Sequence, residues 1–445
     1  MTTHALRTLL APLALAVLAA SGAAAQNPLV MDQFTADPTA RVFEGRVYVY
    51  PSHDVDCGTE WFCMKDYHVF SSADLVDWTD HGVILSQDDV PWVDANSNTM
   101  WAPDAVEKDG RYYFYFPSAA DSVTSTGGRR IGVATADAPH GPFTPEPEPI
   151  AGVGGIDPNV LIDRDGQAYL YWAGGGLRGA RLDDSMLALA SEPVTIGADF
   201  PGGFKEGPFV FEREGTYYFT FPHVIHETEA LVYATGDAPL GPFTYRGVLM
   251  DEHPSGCWTN HHSITEVDGQ WMLFYHHNDL SPNFDKNRSI RADSLFFEPD
   301  GSIRKVIPTH RGVGVFDARE PVHVDRVSRT SGAGVGIEFV DPEVPFEGWK
   351  AVLDQQGAWV EVQAVDFGDA PPAAVQMRVR SETGGTVRVR VGGAAASTFT
   401  EVAVEPGDGW QVVEGEIADV PAGVRDLWVT LRSPGRVEVD WVQFE

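Results

Sequence analysis

Residues 157–175 read DPNVLIDRDGQAYLYWAGG: an acidic start, an apolar run, a charged turn closed by Gly166, then a second run rich in aromatics. β-Branched and aromatic runs on either side of an Asp-Gly turn spell a β-hairpin. The pattern recurs as DPTARVFEGRVYVYPS from Asp37, APDAVEKDGRYYFYFPS from Ala102, EGPFVFEREGTYYFTFP from Glu206 and HHSITEVDGQWMLFYHH from His261. Successive starts lie 65, 55, 49 and 55 residues apart, the spacing of a repeat architecture.

A second phrase follows each hairpin. IGVATADAPHGPF from Ile131 and LVYATGDAPLGPF from Leu231 nearly coincide, and HVFSSADLVDW, GARLDDSMLALA and SIRADSLFF hold the same place in the other three units. Each phrase supplies a third strand and a fourth. Five units of about four strands, with almost no helical periodicity, predict an all-β chain in which residues 26–316 form a five-bladed β-propeller.

In a propeller the innermost strand of each blade starts beside the central axis. The starts Asp37, Trp101–Asp104, Asp157, Glu206 and His261 are therefore expected to converge on one pocket. Like charges so close raise one another's pKa and cost stability, which points to a function. Two carboxylates flanking a scissile bond are the machinery of glycoside hydrolysis, and a third can keep the acid protonated near neutral pH. Cation binding by the same acids, as in a lectin-like calcium site, is the competing chemistry.

Asp37 in TADPTA, the run Trp101-Ala102-Pro103-Asp104, Asp157 in GGIDPNVLIDRDGQAYLYW, Glu206 in FKEGPFVFEREGTYYF and NHHS from Asn260 together resemble glycoside hydrolase family 43, from about Asn27 to Gly314. The resemblance implies an inverting, exo-acting hydrolase of arabinose- or xylose-containing polysaccharides. It makes Asp37 the general base, Asp157 the residue that tunes and orients, and Glu206 the general acid. It also implies that Trp101, Asp104, His261 and Arg288 contact the sugar. No cofactor is required on this reading, and a structural calcium near the axis or in the C-terminal domain is left open.

The remaining features narrow the field. The net charge of −33 repels phosphate backbones and anionic lipids, so nucleic acid and membrane surfaces are excluded as partners and a neutral plant cell-wall polysaccharide or oligosaccharide is favoured. Residues 1–25, with Arg7, the apolar run Leu9–Ala20 and Ala23-Ala24-Ala25, read as a signal peptide, so the protein is expected to be secreted, periplasmic or extracellular. Cys57 and Cys63 stand in one loop, CGTEWFC, and could bridge in an oxidising compartment, leaving Cys257 over. GGGLRG at 174–179 satisfies a nucleotide-binding pattern, but no helix follows to hold a phosphate. His223, His226, His276 and His277 are expected to line loops or pack against aromatics. The oligomeric state is not legible.

Residues 321–445 change character to short Val- and Arg-rich strands with Gly and Pro turns, which predict a β-sandwich. Gly357–Gly368 and the ending VDWVQFE resemble family 6 carbohydrate-binding modules, implying a jelly roll that tethers the enzyme to its polymer. Trp349 and Trp410 are the aromatics that could stack on sugar or equally belong to the core. Three alternatives to the leading activity share the propeller: an exo-galactosidase, a non-catalytic glycan-binding protein, and a fructan hydrolase. The last expects NDPNG, RDP and E-C motifs, where this chain has ADPTA and KEGP.

Overall fold

The computed structural model describes residues 27–120 and 128–445; the expected signal peptide lies outside them. Four antiparallel four-stranded sheets and one three-stranded sheet form the five blades, each running outward in chain order. Their innermost strands are Phe34–Phe43, Asp104–Lys108, Ile156–Ile162, Phe209–Arg213 and His262–Val267. Hairpin registers match the sequence reading, with Val42 opposite Val47 and Val267 opposite Gln270 across their glycine turns.

The fifth blade departs from the expected four strands: Gln270–His277 is followed by Ser289–Ser294, and among the described residues no fourth strand joins the sheet. The N-terminal segment covers that edge instead. Leu29 N–H donates to Ile290 O at 2.8 Å, Thr35 N–H to Arg288 O at 2.9 Å, and the Asn27 side chain brackets Ala292 through both its amide atoms. The first residues of the domain thus close the ring onto its last blade.

The near-continuous aromatic runs have a packing cause. Wedge-shaped gaps between blades must be filled from both faces of each sheet, so neither alternate position can be polar. Phe114 and Phe116 pack towards blade one while Tyr115 packs towards blade three; Phe274 faces blade one while Tyr275 faces blade four. Each such side chain contributes about 1.5–3 kcal/mol of burial free energy.

Two further sheets, each of six strands, pack face to face into the C-terminal sandwich. Its core of apolar side chains includes Val360, Val389, Leu427, Val439 and Phe444. The boundary lies earlier than the expected Pro321. Phe316–Asp317 pairs in parallel with Trp359–Asp366, and Phe316 and Ala318 are in the sandwich core, so the propeller does not extend to residue 316. The two domains are fastened by buried Arg326, which donates to Asn27 O, by Arg311 Nε to Gln363 O at 2.8 Å, and by the Phe34–Phe346 ring contact at 5.0 Å. A chain ending at residue 319 would lose the Arg326 donor to Asn27 O and the Gln363 acceptor of Arg311. It is expected to unfold at a lower temperature than the whole chain in calorimetry; equal midpoints would show that the interface carries no stability.

Candidate active site

Asp37, Asp157 and Glu206, from blades one, three and four, line one cavity of about 370 Å³ on the propeller axis. Trp101, His261 and Arg288 line it too. Six of the seven residues expected from the sequence are therefore brought together.

Asp104 is the exception. Its side chain is fully buried away from the cavity, where it takes a forked ion pair from Arg41, Asn159 Nδ2 at 2.9 Å and Val160 N–H at 2.6 Å. The Ala-Pro-Asp start places Ala102, not Asp104, at the position of Asp37 and Asp157, and Ala102 indeed lines the cavity. Asp104 instead corresponds to Thr39 and Asn159, one layer deeper. That layer ties blade to blade: Thr39 Oγ1 donates to Pro103 O, and Asn159 Oδ1 accepts from Val210 N–H, both at 2.9 Å. Asp104 is a brace rather than a sugar ligand.

Asp37 and Asp157 share an unusual backbone. Both precede proline and both hold a left-handed φ, +49° and +56°, at a register shift in their strands. A residue before proline avoids such a conformation, and strain of this kind persists only where surrounding contacts impose it. For Asp37 those contacts are visible. Its N–H donates to His276 Nδ1 at 3.0 Å, while Oδ1 and Oδ2 accept from Arg288 at 2.9 and 3.3 Å and Oδ2 from Ser52 Oγ at 2.5 Å. His276 Nε2 lies 3.0 Å from Thr259 O, an acceptor, so the ring carries its proton there and presents a bare Nδ1. Burial pushes the His276 pKa down to about 3, helped by Arg288, so this ring is neutral.

Burial alone would raise the Asp37 pKa. The Arg288 guanidinium overrides it, with the Ser52 hydrogen bond adding to the effect, and holds the carboxyl at about 2. Arg288 is itself fixed by Asp54, to which Nε and Nη2 both donate at 2.9 Å.

The opposite wall behaves in the opposite way. Burial pushes Asp157 well above the usual carboxylate range, reinforced by Glu206 and opposed by the Gly207 N–H that donates to Oδ2 at 2.9 Å. Gly207 has φ +51°, and a Cβ there would sit 2.8 Å from Pro222 and 3.0 Å from His261, so only glycine lets this amide reach Asp157. Glu206 is likewise pushed well up, by burial first, then by Glu229 and Asp37. His261 is driven down to about 4 by burial, against the pull of Asp37, and stands neutral between the two walls.

Glu229 is the residue that sequence reasoning missed. It begins the third strand of blade four, Glu229–Gly236, with 1% of its surface exposed. One oxygen accepts from Asn260 N–H at 2.9 Å. Burial above all raises its pKa to about 8, with Asp157 and Asp37 adding and the Asn260 N–H opposing. Within HETEAL it looks like any surface acid, and no signal in the sequence marks it. Neutralising it removes a charge that raises Glu206. Glu229→Gln is therefore expected to move the alkaline limb of kcat/KM to lower pH, read from a pH–rate profile; an unmoved limb would deny the coupling.

Aromatic side chains form the rim: Trp61 and Phe62 from the Cys57–Cys63 loop, which is disulfide-closed, with Phe204 and Trp258 opposite. Cys257 is free and buried. Trp101 carries Arg129 on its ring at 4.1 Å. Calcium prefers six to eight oxygen ligands. Among the described residues, no three His, Cys, Asp or Glu ligand atoms on the axis or in the sandwich lie within 4.8 Å of one another, so these side chains do not by themselves form a calcium cage.

The family model described as glycosyl hydrolases family 43 matches residues 25–303, and that of carbohydrate binding module family 6 matches residues 330–445. The xylosidase/arabinosidase 43A of Humicola insolens is 39% identical over 330 residues, covering 62% of this chain and 98% of its own. A β-xylosidase/α-arabinofuranosidase from a compost metagenome, solved with xylotriose in a calcium-free form, superposes with a TM-score of 0.58 at 39% identity, covering 64% of this chain and 98% of that one. An arabinoxylan arabinofuranohydrolase from Bacillus subtilis, solved with cellotetraose, covers 96% of this chain and 99% of its own at 27% identity and a TM-score of 0.56.

Proposed function

The chain belongs to glycoside hydrolase family 43, and on that premise we propose that it is an exported, inverting, exo-acting hydrolase that releases xylose or arabinose from xylan- or arabinoxylan-type chains. The observation that carries the reading is the splitting of the pocket's carboxyl groups: Asp37 is held at about 2 while Asp157, Glu206 and Glu229 are all pushed up. Titratable groups driven apart in one site assign base and acid.

In the proposed reaction Asp37, ionised, accepts a proton from a water as the water oxygen attacks the anomeric carbon. Glu206, protonated, gives its proton to the glycosidic oxygen as that bond breaks. Glu206 is left ionised and regains its proton from solvent, to which Asp37 gives up the one it took. Burial keeps the proton on Glu206 beforehand, and Asp157 orients the acid by fixing the backbone beside it through Gly207 N–H. Arg288 holds Asp37 ionised and adds a donor to the cavity, while Trp101 and neutral His261 contact the sugar. No step needs a cofactor.

A cavity of about 370 Å³ suits a chain end rather than the middle of a polymer, which supports exo action. The substrate class follows the xylosidase and arabinosidase relatives. Export is supported by the leader-like residues 1–25 and by the paired Cys57–Cys63, since disulfides persist in oxidising compartments. The sandwich is proposed to tether the enzyme to its polymer. Of its candidate platforms, Trp349 stacks on Phe339 and Trp410 carries Arg378 and Arg380 at 4.6 and 4.9 Å, so both also have partners within the protein. Chromatography of digests of arabinoxylan and xylo-oligosaccharides tests the reading: monomeric xylose or arabinose is expected, whereas galactose from a galactan alone, or no sugar at all, would overturn it.

A further inference from the structure

Three side chains on blade one take no part in the proposed hydrolysis. His53 stands near the end of strand Arg46–Asp54, and Asp66 and His68 stand on its neighbour Met64–Ser72. Among the described residues they are the only His, Cys, Asp or Glu group with three ligand atoms all within 4.8 Å of one another. His53 Nδ1 lies 2.7 Å from Asp66 Oδ1, and His68 Nε2 lies 4.0 Å from the same oxygen. A tetrahedral zinc with bonds of about 2.0–2.1 Å spaces its ligand atoms about 3.3 Å apart. The two observed gaps straddle that value by less than about 1 Å, a difference small side-chain rotations absorb.

The outer contacts are also of the right kind. His68 Nδ1 is 3.1 Å from Asp80 Oδ1, which places the ring proton on Nδ1 and leaves the Nε2 lone pair facing Asp66 and His53. A carboxylate on the far nitrogen is how metal-bound histidines are usually oriented. Asp80 is in turn held by Gly82 N–H at 2.7 Å and Gln33 Nε2 at 3.1 Å. The three side chains are 14–23% exposed, so an ion can reach them from solvent.

We propose that His53, Asp66 and His68 form a binding site for a divalent transition ion of the zinc class, with Asp80 orienting His68 and water completing the tetrahedron. Two imidazoles and one carboxylate suit zinc, nickel or copper, whereas calcium and magnesium want oxygen ligands. The location gives the ion a consequence. His53 and the Asp66–His68 pair stand on either side of the 55–63 loop, the one that carries Trp61 and Phe62 to the pocket. A bound ion clamps the stem of this loop from outside, as the Cys57–Cys63 bond closes it from within.

The test is calorimetric titration of the untagged, metal-stripped chain with zinc chloride, with calcium chloride as the control. One equivalent of zinc is expected to bind saturably, with no calcium binding here. His68→Ala and His53→Gln should each abolish the zinc isotherm, and Asp80→Asn should weaken it by about tenfold or more. All three should keep the parent circular dichroism spectrum and xyloside hydrolysis. Absence of a saturable zinc isotherm, or one unchanged in whichever of His68→Ala and His53→Gln is folded, would overturn the proposal and leave an ordinary hydrogen-bonded cluster.

Discussion

Glu206→Gln is expected to lower kcat/KM on xylo-oligosaccharides by about 10²–10⁴-fold, the usual worth of a positioned general acid. Glutamine has nearly the same shape but no proton to give, so departure of a poorly acidic sugar hydroxyl loses its assistance. An aryl glycoside with a strongly acidic phenol leaves without help, and there the loss should shrink severalfold. Equal losses on both substrates would contradict the acid assignment. Stability should move the other way. The Glu206 pKa is raised in the folded chain, so the folded state binds this proton more tightly, and stability is lost as pH rises through the folded value. A neutral amide escapes that penalty, and the variant should unfold at neutral pH no earlier than the parent.

Arg288→Met should be the most damaging single change to the fold. The guanidinium is 2% exposed and is the cation shared by Asp37 and Asp54, both buried. Breaking a buried ion pair from one side costs about 3–5 kcal/mol, because the abandoned charges stay desolvated. Denaturant unfolding reads this directly. The pH dependence has a definite sign as well. Asp37 has a folded pKa of about 2 against 3.8 for an ordinary aspartate, so its stabilising contribution is present above the ordinary value and fades as pH falls towards 2. Without Arg288 that contribution goes and burial raises the Asp37 pKa, so the acid limb of kcat/KM should move to higher pH. Lost activity with unchanged stability and an unmoved acid limb would show that Arg288 serves the substrate alone.

The propeller was legible because its packing writes itself into the chain: wedge-filling aromatics recur in YYFYF, YYFTF and WMLFY at each second strand. Asp37, Asp157 and Glu206 were legible because innermost strand starts share an axis. Asp104 misled because an acid two residues beyond the start imitates one at the start, and the difference is one layer of depth. The residues that position Asp37 and Glu206 were hidden for a different reason. Asp54 and His276 sit on second strands and Glu229 on a third, with no repeat to mark them. They meet the site only through contacts such as Arg288–Asp54, 234 residues apart in sequence. The three-stranded fifth blade was hidden likewise, since nothing local announces that residues 27–35 will cover its edge.

In the proposed mechanism an ionised Asp37 and a protonated Glu206 act together on a water and a glycosidic oxygen, which inverts the anomeric carbon in one displacement. Time-resolved proton NMR of a β-xyloside digest tests this most directly, because it reads the released sugar before mutarotation scrambles it. α-Xylose is expected to appear first, with the β-anomer growing in later. β-Xylose appearing first would mean retention, and with it a covalent intermediate that contradicts Asp37 as a base.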